Sequence, residues 1–294
     1  MPLLNKTSLR KVLPDEAWSI ARDTFNRVRK FQRKFERRPC VGWVRFGSLR
    51  RVDPIDPNFG FRYGTVIDRY YIQAFLSQQA SDIRGHVLEV ENNAYTRRFG
   101  GARVSRSDVL HYTEGNPKAT IVADLTDARE ILSDTFDCII LTQTLQFIYD
   151  MRAAINTLHR ILRPGGVVLA TCHGISQISG YDMDNWGEYW RLTGLSGRKL
   201  FMEVFPTNCV TVQAYGNVLA VTAFLHGLTA QELRREELDY QDPRYEVIVA
   251  IRAVSRLWTK TTHCLGFPLH ATKSAMLAAA VNAHLHSEYM EVTL

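Results

Sequence analysis

Residues 136–150, FDCIILTQTLQFIYD, and residues 151–174, MRAAINTLHRILRPGGVVLATCHG, decide how the chain folds. Residues 136–142 form an Ile-rich apolar run that is too short to cross a membrane and suits a strand buried on both faces. The run ends in Thr142, Gln143 and Thr144. Next, Met151, Ala154, Ile155, Leu158, Ile161 and Leu162 recur at helical spacing, which predicts a helix with one apolar face. Pro164-Gly165-Gly166 stops that helix, and residues 167–170 read as another buried strand. A strand, a crossover helix and a strand pair in parallel, because the crossover is too long for a hairpin. Open α/β sheets bind small molecules at the carboxyl ends of such strands.

The same alternation extends outward. Upstream, residues 66–81 carry Ile67, Tyr70, Tyr71, Ala74 and Phe75 on one helical face, and Gly85 closes the helix. Strands are expected at residues 86–90, 102–109 and 119–123, with Glu89, Asp108 and Asp124 at or near their carboxyl ends. Three acids on successive strand tips point to a ligand with hydroxyls, amines or a positive charge. Downstream, residues 196–205 read as a helix, 210–214 as a strand, 217–233 as a helix and 245–254 as a final strand.

Both ends lie outside this pattern. Residues 14–38 predict a helix with an apolar stripe of Trp18, Ala21, Phe25, Val28, Phe31 and Phe35, ended by Pro39. Its other faces carry much of the net charge of +6: Arg22, Arg27, Arg29, Lys30, Arg33, Lys34, Arg37 and Arg38. One reading is attraction to an anionic partner; the other is a solvated helix that packs its stripe on the main domain. No nucleic-acid-binding motif accompanies it. In the tail, residues 271–289 read as an alanine-rich helix. There His284 and His286, two apart, do not share a face, so no metal site is expected.

With 46% apolar and 22% charged residues, the 294-residue chain has the composition of a soluble globular protein. No apolar run reaches the roughly 20 residues of a membrane helix. The start, MPLLNKTSLRKVLP, lacks a secretory apolar core, so a cytoplasmic protein is expected. The five cysteines are scattered and without CxxC spacing, which indicates neither a zinc site nor a disulfide framework.

Several long, ordered phrases carry a family resemblance: RYGTVIDRYYIQAFL (62–76), DIRGHVLEV (82–90), YTRRFGG (95–101), SDVLH (107–111), ATIVADLTDA (119–128), LHRILRPGGVVLAT (158–171), GISQIS (174–179) and AYGNVLAVTAFLHGL (214–228). Over roughly residues 45–254 the chain resembles a class I S-adenosylmethionine (SAM)-dependent methyltransferase of the type 11 kind. More narrowly, it is similar to bacterial methyltransferases associated with glycosyltransferases. The resemblance implies a Rossmann-like seven-stranded sheet, mostly parallel, with the last strand antiparallel. The domains would be a basic helical extension (1–52), the methyltransferase-like domain (53–255) and a helical tail (256–294).

The resemblance also implies site residues. Arg69 and Tyr70 would reach the cofactor carboxylate, the Glu89 turn with Asn92 its methionine end, and Asp108 the ribose hydroxyls. Asp124 and Leu125 would meet the adenine, and Thr142 and Gln143 the region of the reactive methyl. His173, at the end of the fifth strand, has an ordinary pKa of about 6.5, suited to a general base. Residues 179–191, dense in aromatics and acids, would form a lid with Tyr181, Trp186 and Trp190, and Tyr215 and His226 would line the same acceptor cavity.

One departure stands out. The family's E-x-G-x-G-x-G turn is here Glu89-Val90-Glu91-Asn92-Asn93-Ala94-Tyr95, with every glycine replaced. Asparagine tolerates left-handed backbone angles; glutamate does so poorly. The implied activity is methyl transfer to a small molecule, at oxygen, in a secondary-metabolite or sugar pathway, on an acceptor that is anionic or sugar-linked. The substituted turn keeps two others open: a methyltransferase-fold enzyme that catalyses a cyclisation or rearrangement, and a non-catalytic partner of a pathway enzyme. A homodimer through the terminal helices is a further expectation.

Overall fold

The computed structural model describes residues 14–36, 39–40 and 42–256, in two compact units that divide between Asp53 and Pro54. In the first unit, helix α1 (Asp15–Glu36) exposes Arg22, Arg27, Arg29, Lys30 and Arg33. The expected helix in the tail lies outside the described residues.

The second unit is built on one seven-stranded sheet. Its strands are β1 (Gly85–Val90), β2 (Val104–His111), β3 (Ile121–Val122), β4 (Phe136–Thr142), β5 (Leu162–His173), β6 (Val210–Tyr215) and β7 (Ile248–Val254), in the spatial order β3-β2-β1-β4-β5-β7-β6. β1 lies between β2 and β4, parallel to both, while β7 runs antiparallel to β5 and β6. The chain leaves β1 toward β2 on one side and enters β4 on the other. The switch point of the sheet, where an open α/β sheet has its crevice, therefore falls at the tips of β1 and β4.

Two apolar layers hold the sheet. Alternate residues of β4 serve opposite faces. Ile139 and Leu141 join the layer under α3 (Met151–Ile161) and α5 (Gly194–Met202), and Cys138 and Ile140 join the layer under α2 (Ile67–Gln78) and α6 (Val218–Leu225). All four are 0% exposed, which is why this strand reads as a continuous apolar run. Asp150 caps α3 by accepting a 3.0 Å bond from the Ala153 amide, and α3 then lays Ala154, Ile155, Leu158 and Ile161 on the sheet.

The structure departs from the sequence reading in three places. β2 continues two residues beyond 109, so Asp108 lies inside the strand, opposite Leu88. β5 begins at Leu162, with Pro164-Gly165-Gly166 inside it as a register irregularity rather than before it. The helix expected over residues 217–233 is broken: α6 ends at Leu225, and Gly227 takes φ +70° before the short helix α7 (Arg235–Asp239). Cys138 and Cys172 are buried free thiols. Among the described residues no helix is long and apolar enough to cross a membrane, and no cluster of acids, histidines and cysteines could hold a metal ion.

Candidate active site

A cavity of about 1670 Å³ opens over the tips of β1, β2, β3 and β4 and continues beside the end of β5. Pockets for a single small ligand are roughly 300–1,000 Å³, so this one has room for two. Of the residues singled out in the sequence, Arg69, Glu89, Asn92, Asp124, Leu125, Thr142, Gln143, His173, Tyr181 and Trp186 line it.

The β1 turn shapes one wall. Glu89 is 3% exposed, and its carboxylate accepts bonds from the Tyr95 amide (3.1 Å), the Thr96 amide (2.7 Å) and the Thr96 hydroxyl (2.7 Å). It thus ties down the turn that follows β1. Burial pushes its carboxyl pKa up, against the hydrogen bonds from Thr96 and Tyr95. Asn92 closes a local turn by accepting from the Ala94 amide at 2.9 Å, and Asp124 does the same with Thr126 at 2.8 Å. Leu125 is buried beside Asp124 and offers an apolar surface to a flat ring.

At the β4 tip, Gln143 adopts φ +50°, with its amide hydrogen-bonded to the Thr171 carbonyl (2.9 Å). Its side-chain oxygen accepts from Gln146 at 2.8 Å, but its side-chain nitrogen is buried without a hydrogen-bond partner. A buried donor in this state costs free energy unless a ligand or water meets it.

His173, the last residue of β5, is a buried residue of the cavity wall. Nε2 lies 3.5 Å from Asp68 Oδ2, and Nδ1 lies 3.6 Å from Glu188 Oε1. These are ion-pair distances beyond a close hydrogen bond, and both ring nitrogens lack hydrogen-bond partners. All three side chains are buried: 8% exposed for His173, 6% for Asp68 and 1% for Glu188. Arg191 pairs with Glu188 at 2.6 Å, and Arg69 with Asp68 at 3.3 Å. Burial disfavours the imidazolium, yet Asp68 and Glu188 outweigh it and raise the His173 pKa. Burial likewise opposes ionisation of Asp68, but Arg69 and His173 hold its pKa below the usual carboxylate value.

Five expected site residues are placed elsewhere. Asp108 accepts from Thr120 (3.0 Å) and pairs with His86 (2.6 Å) and Arg106 (3.1 Å), and it is not in the cavity wall. Tyr70 turns away and donates to Asp239 at 2.6 Å. Tyr215 is buried in a stack on Tyr71. His226 caps the C-terminal end of α6, where its carbonyl accepts from the Ile55 and Asp56 amides. Trp190 packs behind Tyr149 and donates to the Tyr149 carbonyl at 3.2 Å.

The segment after β5 does meet the cavity. The short helix α4 (Gly180–Asn185) is capped by Ser179, and Trp186 stands edge-on to His111 and Tyr112 at the β2 tip. Sequence reasoning missed Asp68 and Glu188. Asp68 was hidden among the apolar repeats of α2, and Glu188 among the aromatics of residues 179–191. An acid in an otherwise apolar helical face was the available signal.

A seven-stranded sheet in this order, with a cavity at its switch point, defines the class I methyltransferase fold. Residues 73–170, a third of the chain, match the family model described as a methyltransferase domain. Among solved structures, it is similar to a SAM-dependent methyltransferase from Archaeoglobus fulgidus (9% identity, 64% of this chain and 94% of that one, TM-score 0.43). It is also similar to the N-methyltransferase NodS from Bradyrhizobium japonicum WM9 in complex with S-adenosyl-L-homocysteine (15% identity, 70% and 94%, TM-score 0.40). A third similar structure is that of the 4+2 cyclase SpnF (12% identity, 67% and 85%, TM-score 0.45). No curated protein matches the sequence.

Proposed function

We propose that the protein transfers a methyl group from SAM to a hydroxyl of a small, polyhydroxylated acceptor. The observation that carries this reading is a single cavity, large enough for two small ligands, whose lining runs from the strand tips to His173. The strand-tip part fits SAM chemically. Carboxylates of Glu91 and Asp124 suit a ligand with a positive charge and a ribose, Leu125 suits a flat base, and the unpartnered Gln143 nitrogen suits an acceptor atom of the ligand. When bound, SAM supplies an electrophilic methyl group on a positively charged sulfur.

This chain's residues supply the rest. In its neutral form, populated above its raised pKa, His173 takes the proton that the acceptor hydroxyl gives up, and Asp68 and Glu188 stabilise the resulting imidazolium. Tyr149, Tyr181, Trp186 and Tyr189 enclose the acceptor space, with Asp150 and Asp182 among them. Aromatic faces combined with carboxylate acceptors suit a sugar-like molecule. Among the described residues, six carboxylates line the cavity (Asp68, Glu89, Glu91, Asp124, Asp150, Asp182) against one arginine, Arg69, which does not favour the anionic acceptor expected earlier.

The test is to incubate the full chain with SAM and a panel of hydroxylated and aminated sugars and phenols, and to follow S-adenosylhomocysteine and product mass. An O-methylated product whose formation falls about 10²–10⁴-fold in His173→Ala is the expected result. Methylation at nitrogen, or turnover indifferent to His173, contradicts the proposed chemistry.

A further inference from the structure

The acid that the family resemblance assigns to the ribose is out of reach. Asp108 lies three residues before the end of β2, and its carboxylate is taken up by His86, Thr120 and Arg106. The β2 tip itself presents Leu110, His111 and Tyr112 to the cavity, none of them acidic.

Glu91 stands in that gap. Its amide donates to the Leu110 carbonyl at 2.9 Å, which holds it against the end of β2. Its carbonyl accepts from Asn116 Nδ2 at 2.7 Å, from the loop that follows β2. Pinned on both sides, Glu91 takes φ +70°, a left-handed conformation in which a glycine is unstrained and a glutamate is not. The residue lines the cavity, it is exposed, and no hydrogen bond or ion pair among the described residues engages its carboxylate. A strained backbone that aims an unengaged carboxylate into a ligand cavity is the kind of outlier from which function is inferred.

We infer that Glu91, on the β1 turn, binds the ribose diol of the nucleoside ligand in place of an acid on β2. Both hydroxyls of a cis-diol donate to one carboxylate, so the contact depends on the charge of the acceptor and on the presence of both hydroxyls. The inference rests on the cofactor reading above and extends it. The residue that breaks the glycine-rich turn is then a binding group.

The test compares calorimetric titrations of the full chain with S-adenosylhomocysteine and with its 2′-deoxyribose counterpart, for the wild type, Glu91→Gln and Asp108→Asn. The wild type should prefer the ribose ligand by about tenfold or more. Glu91→Gln, a change on an exposed turn, should weaken S-adenosylhomocysteine by a similar factor and erase the preference. Asp108→Asn, checked for folding by circular dichroism, should keep it. Undiminished binding or an intact preference in Glu91→Gln overturns this inference alone. Failure of the wild type to bind S-adenosylhomocysteine at all overturns the cofactor reading, and this inference with it.

Discussion

Replacing His173 by glutamine should lower the unfolding free energy at pH 6 by about 3–5 kcal/mol, the cost of removing one partner from a buried ion pair. The reason is local. Asp68 and Glu188 approach the imidazole from opposite sides, and all three side chains are nearly inaccessible. Without the cation, two buried carboxylates face a neutral amide, and Arg69 and Arg191 each compensate only one of them. The pH dependence gives a second readout. The His173 pKa is raised, so its contribution is fully present below the unfolded value of about 6.5 and is lost as pH rises through the higher folded value. Asp68 and Glu188 have lowered pKa values, so theirs are present above roughly 4 and are lost as pH falls through the folded values. Denaturant melts across pH should show an alkaline decline in the wild type that His173→Gln loses. A variant with the wild-type alkaline limb would show that the imidazole is not held as a cation.

Glu89→Ala should weaken S-adenosylhomocysteine about a hundredfold or more, equivalent to ~2.7 kcal/mol, although Glu89 gives its carboxylate to the protein. That carboxylate holds two amides and a hydroxyl of the turn, and the turn carries Glu91 and Asn92 into the cavity. Removing it leaves three donors unmet in a buried position and releases the wall they shape. Glu89→Gln keeps one acceptor oxygen and should fall between. Binding of the alanine variant within about threefold of wild type would mean that the turn needs no such anchor.

The parts of the fold legible in the sequence were those fixed by burial on two faces. β4 and α3 follow from an unbroken apolar run and a clean helical repeat, because every inward position of both is covered. The end of β2 was not legible, since Leu110 and His111 continue a strand whose pairing to β1 is set by distant residues. The break after Leu225 was marked by Gly227, but the apolar spacing on either side masked it.

Site residues divide along the same line. Of the positions the family resemblance and strand order named, those at strand tips line the cavity: Glu89, Asn92, Asp124, Leu125, Thr142, Gln143 and His173. Residues assigned by nearness in sequence fared differently. Arg69 and Tyr70 are neighbours on α2, yet one lines the cavity while the other bonds Asp239, 169 residues away. On a helix, adjacent side chains point about 100° apart. No local pattern told Tyr215 to stack on Tyr71, or Asp108 to find His86.

The cofactor site can be tested most directly by calorimetric titration of the full chain with SAM and, separately, with S-adenosylhomocysteine. Saturable micromolar binding of both, with a raised melting temperature for either, is the expected result. No heat and no thermal stabilisation at millimolar ligand would contradict it and leave the strand-tip cavity to another ligand.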